Sequence, residues 1–463
     1  MSELERALAI ALSVKRRGGR ALLVGGWVRD RLMGRQTKDI DIEVYGVPTE
    51  QLRQLLATLG RVDTVGESFT VYKLAGIDVS LPRTESKTGR GHRGFEVVGD
   101  PGLSIEEAAR RRDFTINAIA WDPLTDEYLD PHDGRRDLDR RTLRAVDPVT
   151  FGDDSLRVLR AIQFAARLDF AVDSATKTLC RRIELNDLPA ERIWSEVEKL
   201  VLQAARPSTG FLLALELGVV QQLFPELAAL VGCPQEPEWH PEGDVWVHTL
   251  LVVDQARQRI ADLPRPQQVA IMLGAICHDF GKPSTTAMID GRLRSLNHEP
   301  AGVPPTVTFL DRLNIHSLSG YDVRHQVLGL VGHHLKPGMW HKAGTEVGDG
   351  AFRRLAQKVD LELLARLAKA DCLGRTGGFD CSAMDWFRTR AHALGVEHAP
   401  PAPLLRGRHL LALGMAPGPA MGRLLKEIYE RQLDGHLTSE SEAIAEARQR
   451  LPRPNDARDD QQP

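Results

Sequence analysis

The feature that most limits what this chain can fold into is the run Asp39-Ile-Asp-Ile-Glu-Val-Tyr45, with Gly25-Gly26 just upstream. Acidic and apolar residues alternate with a period of two, the signature of a strand with one polar and one buried face. Asp39 and Asp41 therefore project side by side, and two adjacent carboxylates repel unless a cation lies between them. Mg2+ suits one or two carboxylates combined with substrate phosphates. The apolar run Arg20–Val24 reads as a buried strand entering Gly25-Gly26, where missing side chains let backbone N–H groups approach a triphosphate. Arg29 follows as a phosphate or ribose contact. Asp78, on the alternating segment Ile77-Asp-Val-Ser-Leu81, adds a third carboxylate. Three acids can hold two metal ions, one to activate a 3′-hydroxyl and one to stabilise leaving pyrophosphate.

Around this strand the first 100 or so residues read as a small α/β unit. Residues 1–18 carry Leu4, Leu8, Ala11 and Leu12 at helical spacing. A short helix from Trp27 to Met33 stops at Gly34, Val71-Tyr-Lys-Leu74 pairs with the segment around Asp78 through Gly76, and 84–94 is a mobile loop by composition. From Ser104 the pattern is mostly helical. Residues 154–169 form an amphipathic helix with Leu156, Leu159, Ile162 and Ala166 on one stripe. Residues 191–230 give two more helices broken near Pro207 and Gly210, and the Pro-rich stretch 234–244 is the internal boundary. A His-bearing helical block, a Pro- and Gly-rich stretch, a charged helix pair over 424–450 and a disordered end at 451–463 follow.

Gly25-Gly-Trp-Val-Arg-Asp30 followed by Asp-x-Asp resembles the polymerase-β-like nucleotidyltransferases, and more closely the class II tRNA nucleotidyltransferases and their bacterial poly(A) polymerase relatives. Arg111-Arg-Asp-Phe-Thr-Ile-Asn-Ala118 and Asp154-Ser-Leu-Arg-Val-Leu-Arg160 carry the resemblance further, and it spans about residues 20–230. It implies catalytic Asp39, Asp41 and Asp78 with Mg2+. It implies nucleotide contacts at Gly25, Gly26, Arg29, Arg112 and Asp113, the last two to sugar or phosphate. It further implies that Asp154 and Arg157 read the Watson–Crick edge of the incoming base, with Arg160 in support. A carboxylate supplies acceptors and a guanidinium supplies donors in a fixed fork. Together they would select C and then A without a nucleic-acid template. Gln163 stands where many relatives carry a third Arg, which bears on a phosphate contact; Asp153, for the commoner Glu, leaves base reading intact. The implied activity is addition of CCA to the tRNA 3′ end from CTP and ATP. A-adding, CC-adding and poly(A)-adding enzymes share the same motif order and remain the alternatives. Arg181, Arg182, Arg192 and Lys199 are candidates for gripping the acceptor stem through phosphates, and a solvated face explains each equally well.

The later half holds a second constellation: His248, His278-Asp279, His298, His333-His334 and Asp371. Imidazole suits transition metals, and a bridging carboxylate suits two of them. The order resembles the HD-type phosphohydrolases, a domain that several bacterial tRNA nucleotidyltransferases carry after the transferase part. It implies metal ligation by His248, His278, Asp279 and Asp371. His298 and one of His333 or His334 would serve a second ion or the substrate. The metal is not named by the sequence. The activities implied are phosphatase, 2′-nucleotidase and 2′,3′-cyclic phosphodiesterase.

The expected fold is α+β: a polymerase-β-like head with a small mixed sheet at 1–145, a helical neck and body at 146–235, an all-α HD domain at 236–395, and a helical tail at 396–463. Composition narrows the rivals. With Lys plus Arg at 60 and Asp plus Glu at 63, the chain is neither a polycation nor an acidic tail. Stringent-response synthetases place the His-Asp domain before the transferase, and protein uridylyltransferases need regulatory domains for which about 70 residues after Arg390 leave no room. An RNA-binding protein with dead sites is the non-enzymatic rival. Five unpatterned Cys argue against a disulfide framework and for a reducing cytoplasm. Charged residues within 1–18 argue against a signal peptide, and no uncharged stretch is long enough to span a membrane. Monomer and homodimer stay equally open.

Overall fold

The computed structural model describes residues 2–37, 39–65, 71–87 and 95–451. The chain divides into two compact units, residues 1–228 and 229–463.

The first unit is built on a seven-stranded mixed sheet. Its strands are β1 (Arg20–Val24), β2 (Ile40–Tyr45), β3 (Val62–Val65), β4 (Val71–Leu74) and β5 (Ile77–Ser80). After them come a separate hairpin of β6 (Arg83–Lys87) and β7 (Phe95–Gly99), and then β8 (Ala120–Asp122) and β9 (Glu127–Leu129). The sheet order is β3-β4-β5-β2-β1-β8-β9. Within this sheet β2 and β5 run parallel, in a register that sets Asp41 opposite Asp78, and the other described pairs are antiparallel. Ile40, Ile42 and Val44 of β2 enter the core with Ile77 and Val79 of β5. The alternation thus sends the acidic set to the other face.

Helices Glu3–Lys15 and Thr49–Leu59 cover the apolar face. The first is capped by Ser2, whose hydroxyl accepts from the Glu5 N–H while the Glu5 carboxylate accepts from the Ser2 N–H. Its buried stripe is Ala7, Ile10, Ala11 and Val14, not the expected set, and Leu12 is 47% exposed. Small Ala residues let this helix lie close on the sheet. The expected loop at 84–94 begins instead as β6, which pairs in register with β7 as far as Lys87 opposite Phe95; the part at 88–94 lies outside the described residues.

Beyond the sheet the unit is helical. Leu156–Leu168 buries its expected apolar stripe. It starts two residues later than expected, because Asp154 is extended and ends a 3-10 turn over Phe151–Asp153. Ala190–Gln203 and Pro207–Glu216 pack on it. The expected break near Pro207 is present, since one helix ends at Gln203 and Pro207 opens the next. Gly210 lies within that helix as a contact point: a Cβ there would sit 2.4 Å from Leu200 Cδ1.

The second unit is almost wholly helical. Val245–Arg257, Arg265–Cys277, Val323–Val331 and Leu361–Gly374 form its centre, joined by His298–Arg312. The helices Pro419–Leu433 and Glu440–Arg450 share a small core of their own. The expected disorder from 452 onward lies outside the described residues. Cys372 and Cys381 are joined by a disulfide, against the expectation from cysteine spacing, while Cys180, Cys233 and Cys277 are buried outside any disulfide. The chain folds back after Asp371 and brings two cysteines nine apart to a Cα separation of 5.9 Å. No spacing motif signals that return.

Candidate functional sites

In the first unit, β1 ends at Gly25, whose φ of 74° lies in the left-handed region. A Cβ at Gly25 would meet Arg112 Nη1 at 3.3 Å and Asp41 Oδ2 at 3.5 Å, so a side chain at this φ would be strained and would crowd the turn's approach to the acidic strand. A cavity of about 490 Å³ opens there. It gathers Gly25, Gly26, Arg29, Asp41, Arg112, Asp113, Asp154, Arg157 and Arg160. Asp39 lies exposed just ahead of β2, and Asp78 faces Asp41 across the strand pair with Lys73 3.2 Å away. Burial pushes the Asp41 carboxyl up; Arg112 opposes this, and Asp78, Asp39 and Glu43 add to it. Such a cluster of like charges calls for a cation.

Glu43, the next acid on this face, is buried and not solvated. It accepts from Arg112 at 2.9 Å, from Tyr45 Oη at 3.0 Å and from Arg111. Burial alone would raise its carboxyl, but Arg112 and Arg111 outweigh that and hold it below the usual range. Asp113 is a hub. It accepts from the Phe114 N–H at 2.7 Å, Asn117 Nδ2 at 2.9 Å and Arg160 Nε at 2.6 Å. Asn117 in turn accepts from Arg29 Nη1 at 2.8 Å. The four side chains form one frame along the cavity wall.

The base-reading candidates are fixed in the same way. Arg157 is buried, donating to Thr150 O at 2.8 Å and Arg111 O at 2.6 Å. A guanidinium has five N–H groups, so donors remain. Asp154 accepts from Arg192 Nη2 at 2.9 Å and from the Leu156 N–H at 3.2 Å. Arg192, a candidate for tRNA contact, lines the cavity. Of the other tRNA candidates, Arg181 pairs with Glu216 and Lys199 with Glu196, while Arg182 is exposed. Gln163 is buried and accepts from Arg167 Nη1 at 2.9 Å. It holds that cation against Phe164, whose ring centroid lies 5.1, 5.2 and 5.8 Å from the guanidinium carbons of Arg29, Arg160 and Arg167.

In the second unit four imidazoles converge. His248 lies in the first turn of its helix, His278 at the end of the next, His298 at the start of a third, and His334 just past a fourth. Each ties Nδ1 outward: His248 to Glu242 at 2.8 Å, His278 to Ala275 O at 2.9 Å, His298 to Ser295 O at 2.8 Å, and His334 to Val331 O at 2.9 Å. This orients every Nε2 inward, as outer contacts do for metal-ligating histidines. His248 Nε2 lies 3.1 Å from Asp371 Oδ1, and Asp279 lies 3.2 Å from His278 Nε2 and 3.4 Å from His298 Nε2. His248, His278 and Asp371 form one ligand group; Asp279, His298 and His334 form another. His278 Nε2 and Asp279 Oδ1 are buried with no hydrogen-bond partner, and Asp279 Oδ2 has the Lys282 ammonium 2.7 Å away, so the donor set fits divalent metal. Burial, then His298 and His278, pushes His334 down to about 3, which keeps it neutral and able to ligate at neutral pH. Of the two candidates His333 and His334, only His334 enters a ligand group; His333 is half-buried and its Nδ1 has no partner.

Three residues here escaped the sequence reading. Glu242 accepts from both His248 and His240, and buried Lys282 lies 2.7 Å from Asp279 Oδ2. The signal for the first two was His240-Pro-Glu242 just ahead of His248, hidden by the Pro content of that stretch.

Two family models match this chain: the poly A polymerase head domain over residues 21–144, and the probable RNA and SrmB-binding site of polymerase A over 169–230. The multifunctional CCA protein of Xanthomonas campestris pv. campestris (strain B100) is 36% identical over 422 residues, covering 87% of this chain and 95% of that protein. The chain belongs to the class II CCA-adding enzyme and poly(A) polymerase family. By that membership it is a nucleotidyltransferase. The multifunctional CCA protein of Mannheimia succiniciproducens is 40% identical over 302 residues, covering 63% of this chain and 70% of that protein. Among solved structures, the Bacillus stearothermophilus CCA-adding enzyme in complex with CTP has a TM-score of 0.65 at 22% identity, covering 97% of this chain and 98% of that one. The Thermotoga maritima CCA-adding enzyme complexed with tRNA-CCA has a TM-score of 0.55 at 20% identity, covering 95% and 93%. Both share the α+β fold of this family. Among the described residues, no helix is long and apolar enough to cross a membrane.

Proposed function

We propose that this chain adds C, C and A to the 3′ end of tRNA from CTP and ATP, without a nucleic-acid template, releasing pyrophosphate at each step. The observation that carries this reading is the single cavity holding Asp41, the Gly25-Gly26 turn, eight arginines and Asp154. Asp39, Asp41 and Asp78 would hold Mg2+, which supplies activation of the attacking 3′-hydroxyl and charge neutralisation at the leaving pyrophosphate. Arg29 and Arg112 face the phosphates and sugar beside the open glycine turn. Asp113 works indirectly, by fixing Asn117 and Arg160. Asp154 offers acceptors and Arg157 donors to the base edge, and both are held rigidly enough to act as a template made of protein.

The second unit is read as a metal-dependent phosphohydrolase acting on phosphorylated or cyclic-phosphate tRNA ends. His248, His278, Asp279 and Asp371 would hold one divalent transition metal, and Asp279, His298 and His334 a second. Bound metal supplies a hydroxide at neutral pH. Hydrolysis of a 2′,3′-cyclic phosphate forms one bond from water oxygen to phosphorus and breaks one phosphorus–sugar oxygen bond, with a proton passing to the leaving oxygen. Lys282 is within reach of that phosphate. This assignment supports a division into head (1–145), neck and body (146–235), His/Asp domain (236–395) and tail (396–463), and a place in the cytoplasm beside the tRNA pool. Replacing Asp39 and Asp41 together by Ala tests the transferase reading: incorporation should vanish, and incorporation that survives sinks both the metal assignment and the reading.

A further inference from the structure

The His/Asp cavity measures about 220 Å³. That is below the range of pockets that enclose a drug-sized ligand, roughly 300–1,000 Å³. It has room for a phosphate ester, and a base attached to that ester must lie at the mouth. Besides the cluster itself the cavity is lined by Trp239, Arg375 and Leu335, with Lys282 buried beside Asp279. Trp239 is 45% exposed, unusual for the largest apolar side chain, yet it is not loose. Its ring stacks on Phe379 at a centroid distance of 6.4 Å and an interplanar angle of 24°. Its segment is anchored where Glu236 accepts from the Leu293 N–H at 2.9 Å.

The facing loop is also built. The Cys372–Cys381 disulfide closes it directly after the metal-ligand candidate Asp371, and it carries both Arg375 and Phe379. The Thr376 N–H donates to Glu242 at 3.4 Å, joining this loop to the one that bears Trp239. Arg375 lies 5.8 Å from the Phe379 ring centroid, and its Nε is buried with no partner. Its nearest carboxylate, Asp371, is 3.8 Å away, beyond hydrogen-bond distance. Lys282 spends two of its three N–H groups on Asp279 and Gln235, leaving one. An exposed aromatic face, an arginine and, deeper in, a lysine with a donor to spare thus share the cavity of the candidate metal cluster.

We infer that this mouth is a terminal-nucleotide subsite, in which Trp239, backed by Phe379, stacks the base while Arg375 and Lys282 take the phosphate delivered to the His/Asp cluster. The inference rests on the phosphohydrolase reading above and narrows its substrate to phosphoesters that carry a nucleobase. Every base has a π face, so the subsite accepts adenine and cytosine alike.

The test is kcat/KM of the full chain, loaded with Mn2+ or Ni2+, for adenosine and cytidine 2′,3′-cyclic monophosphate and for glycerol 2-phosphate, which has no base. In Trp239→Ala the ratio of nucleotide to glycerol phosphate kcat/KM should fall about 5- to 100-fold, through KM, for both bases. Trp239→Phe should restore most of it, which separates stacking from folding. A ratio unchanged in Trp239→Ala overturns the subsite and leaves the phosphohydrolase reading standing. Hydrolysis of neither substrate by the unaltered chain overturns that reading and the subsite together. Running the same variants on tRNA ending in a 2′,3′-cyclic phosphate separates the two sources. Equal losses on tRNA and mononucleotide mean the terminal nucleotide is read by itself, and a smaller loss on tRNA means that contacts beyond that nucleotide share the binding.

Discussion

His298 Nε2 and His334 Nε2 lie 3.2 Å apart, although the Nδ1 of each is engaged by a backbone carbonyl. A carbonyl only accepts, so both Nδ1 atoms are donors. In neutral rings both Nε2 atoms are then lone pairs pointed at one another, an arrangement stable only with a cation between them. The chain should therefore retain two divalent transition-metal ions after desalting, read by plasma mass spectrometry, and His334→Ala should lower the count to one. Retention of no metal, with no rise in Tm on adding Mn2+, Ni2+, Co2+ or Zn2+, contradicts the assignment.

Asp113 tests the frame of the nucleotide cavity. Burial alone would raise its carboxyl, but Arg160, then Asn117 and the Phe114 N–H, hold it below the ordinary Asp value. A carboxyl lowered by folding adds stability that is present above its unfolded pKa and is lost as pH falls through the folded value. Asp113→Asn should therefore flatten the loss of stability on acidification below about pH 4, measured by urea unfolding of the full chain. Asp113→Ala removes the acceptor of Arg160 Nε and Asn117 Nδ2. It should cost about 3 kcal/mol, the low end for breaking a buried pair, because Arg160 is partly exposed.

Arg192 is expected to position Asp154 from outside the helix that carries Arg157. Arg192→Ala frees the carboxylate of its 2.9 Å partner and should reduce kcat/KM for both CTP and ATP about 10-fold, with increased misincorporation of UTP and GTP. Arg192→Lys should recover part of the loss. Unchanged nucleotide selection in Arg192→Ala would make this pair structural only.

Much of the candidate machinery was legible because it follows from local periodicity. The strict alternation of β2 determined which face Asp41 and Ile42 occupy, and the order of His and Asp residues in the second half matched the cluster that forms. What was hidden depends on chain paths that no period records. Asp154 looked like the first residue of a helical ridge, yet it is extended, because the 3-10 turn before it tilts the carboxylate toward Arg192. Gln163 stands out in the sequence only as the replacement for a third Arg, yet it is buried and used to hold Arg167. Glu242 lies in a stretch whose Pro content suggested a linker. Its role comes from folding back onto His248.

The Cys372–Cys381 disulfide makes a plain chemical prediction. Alkylation of the denatured, unreduced chain followed by mass spectrometry should label Cys180, Cys233 and Cys277 only, and reduction should expose two more sites. Five labelled cysteines before reduction would show the pair is held as thiols. In a reducing compartment such a pair is transient and redox-sensing more often than structural.

The central claim is that one protein template selects C, C and then A at one cavity. It is tested most directly by incubating the full chain and Mg2+ with tRNA trimmed to the nucleotide before CCA, tRNA ending in CC, and intact tRNA, each with CTP, ATP or both, and sequencing the ends. The account predicts CC from CTP alone on the trimmed tRNA, CCA with both nucleotides, a single A on the CC end, and no extension of intact tRNA. Incorporation of ATP alone, only onto tRNA already ending in CC, or untemplated runs of A, would contradict it.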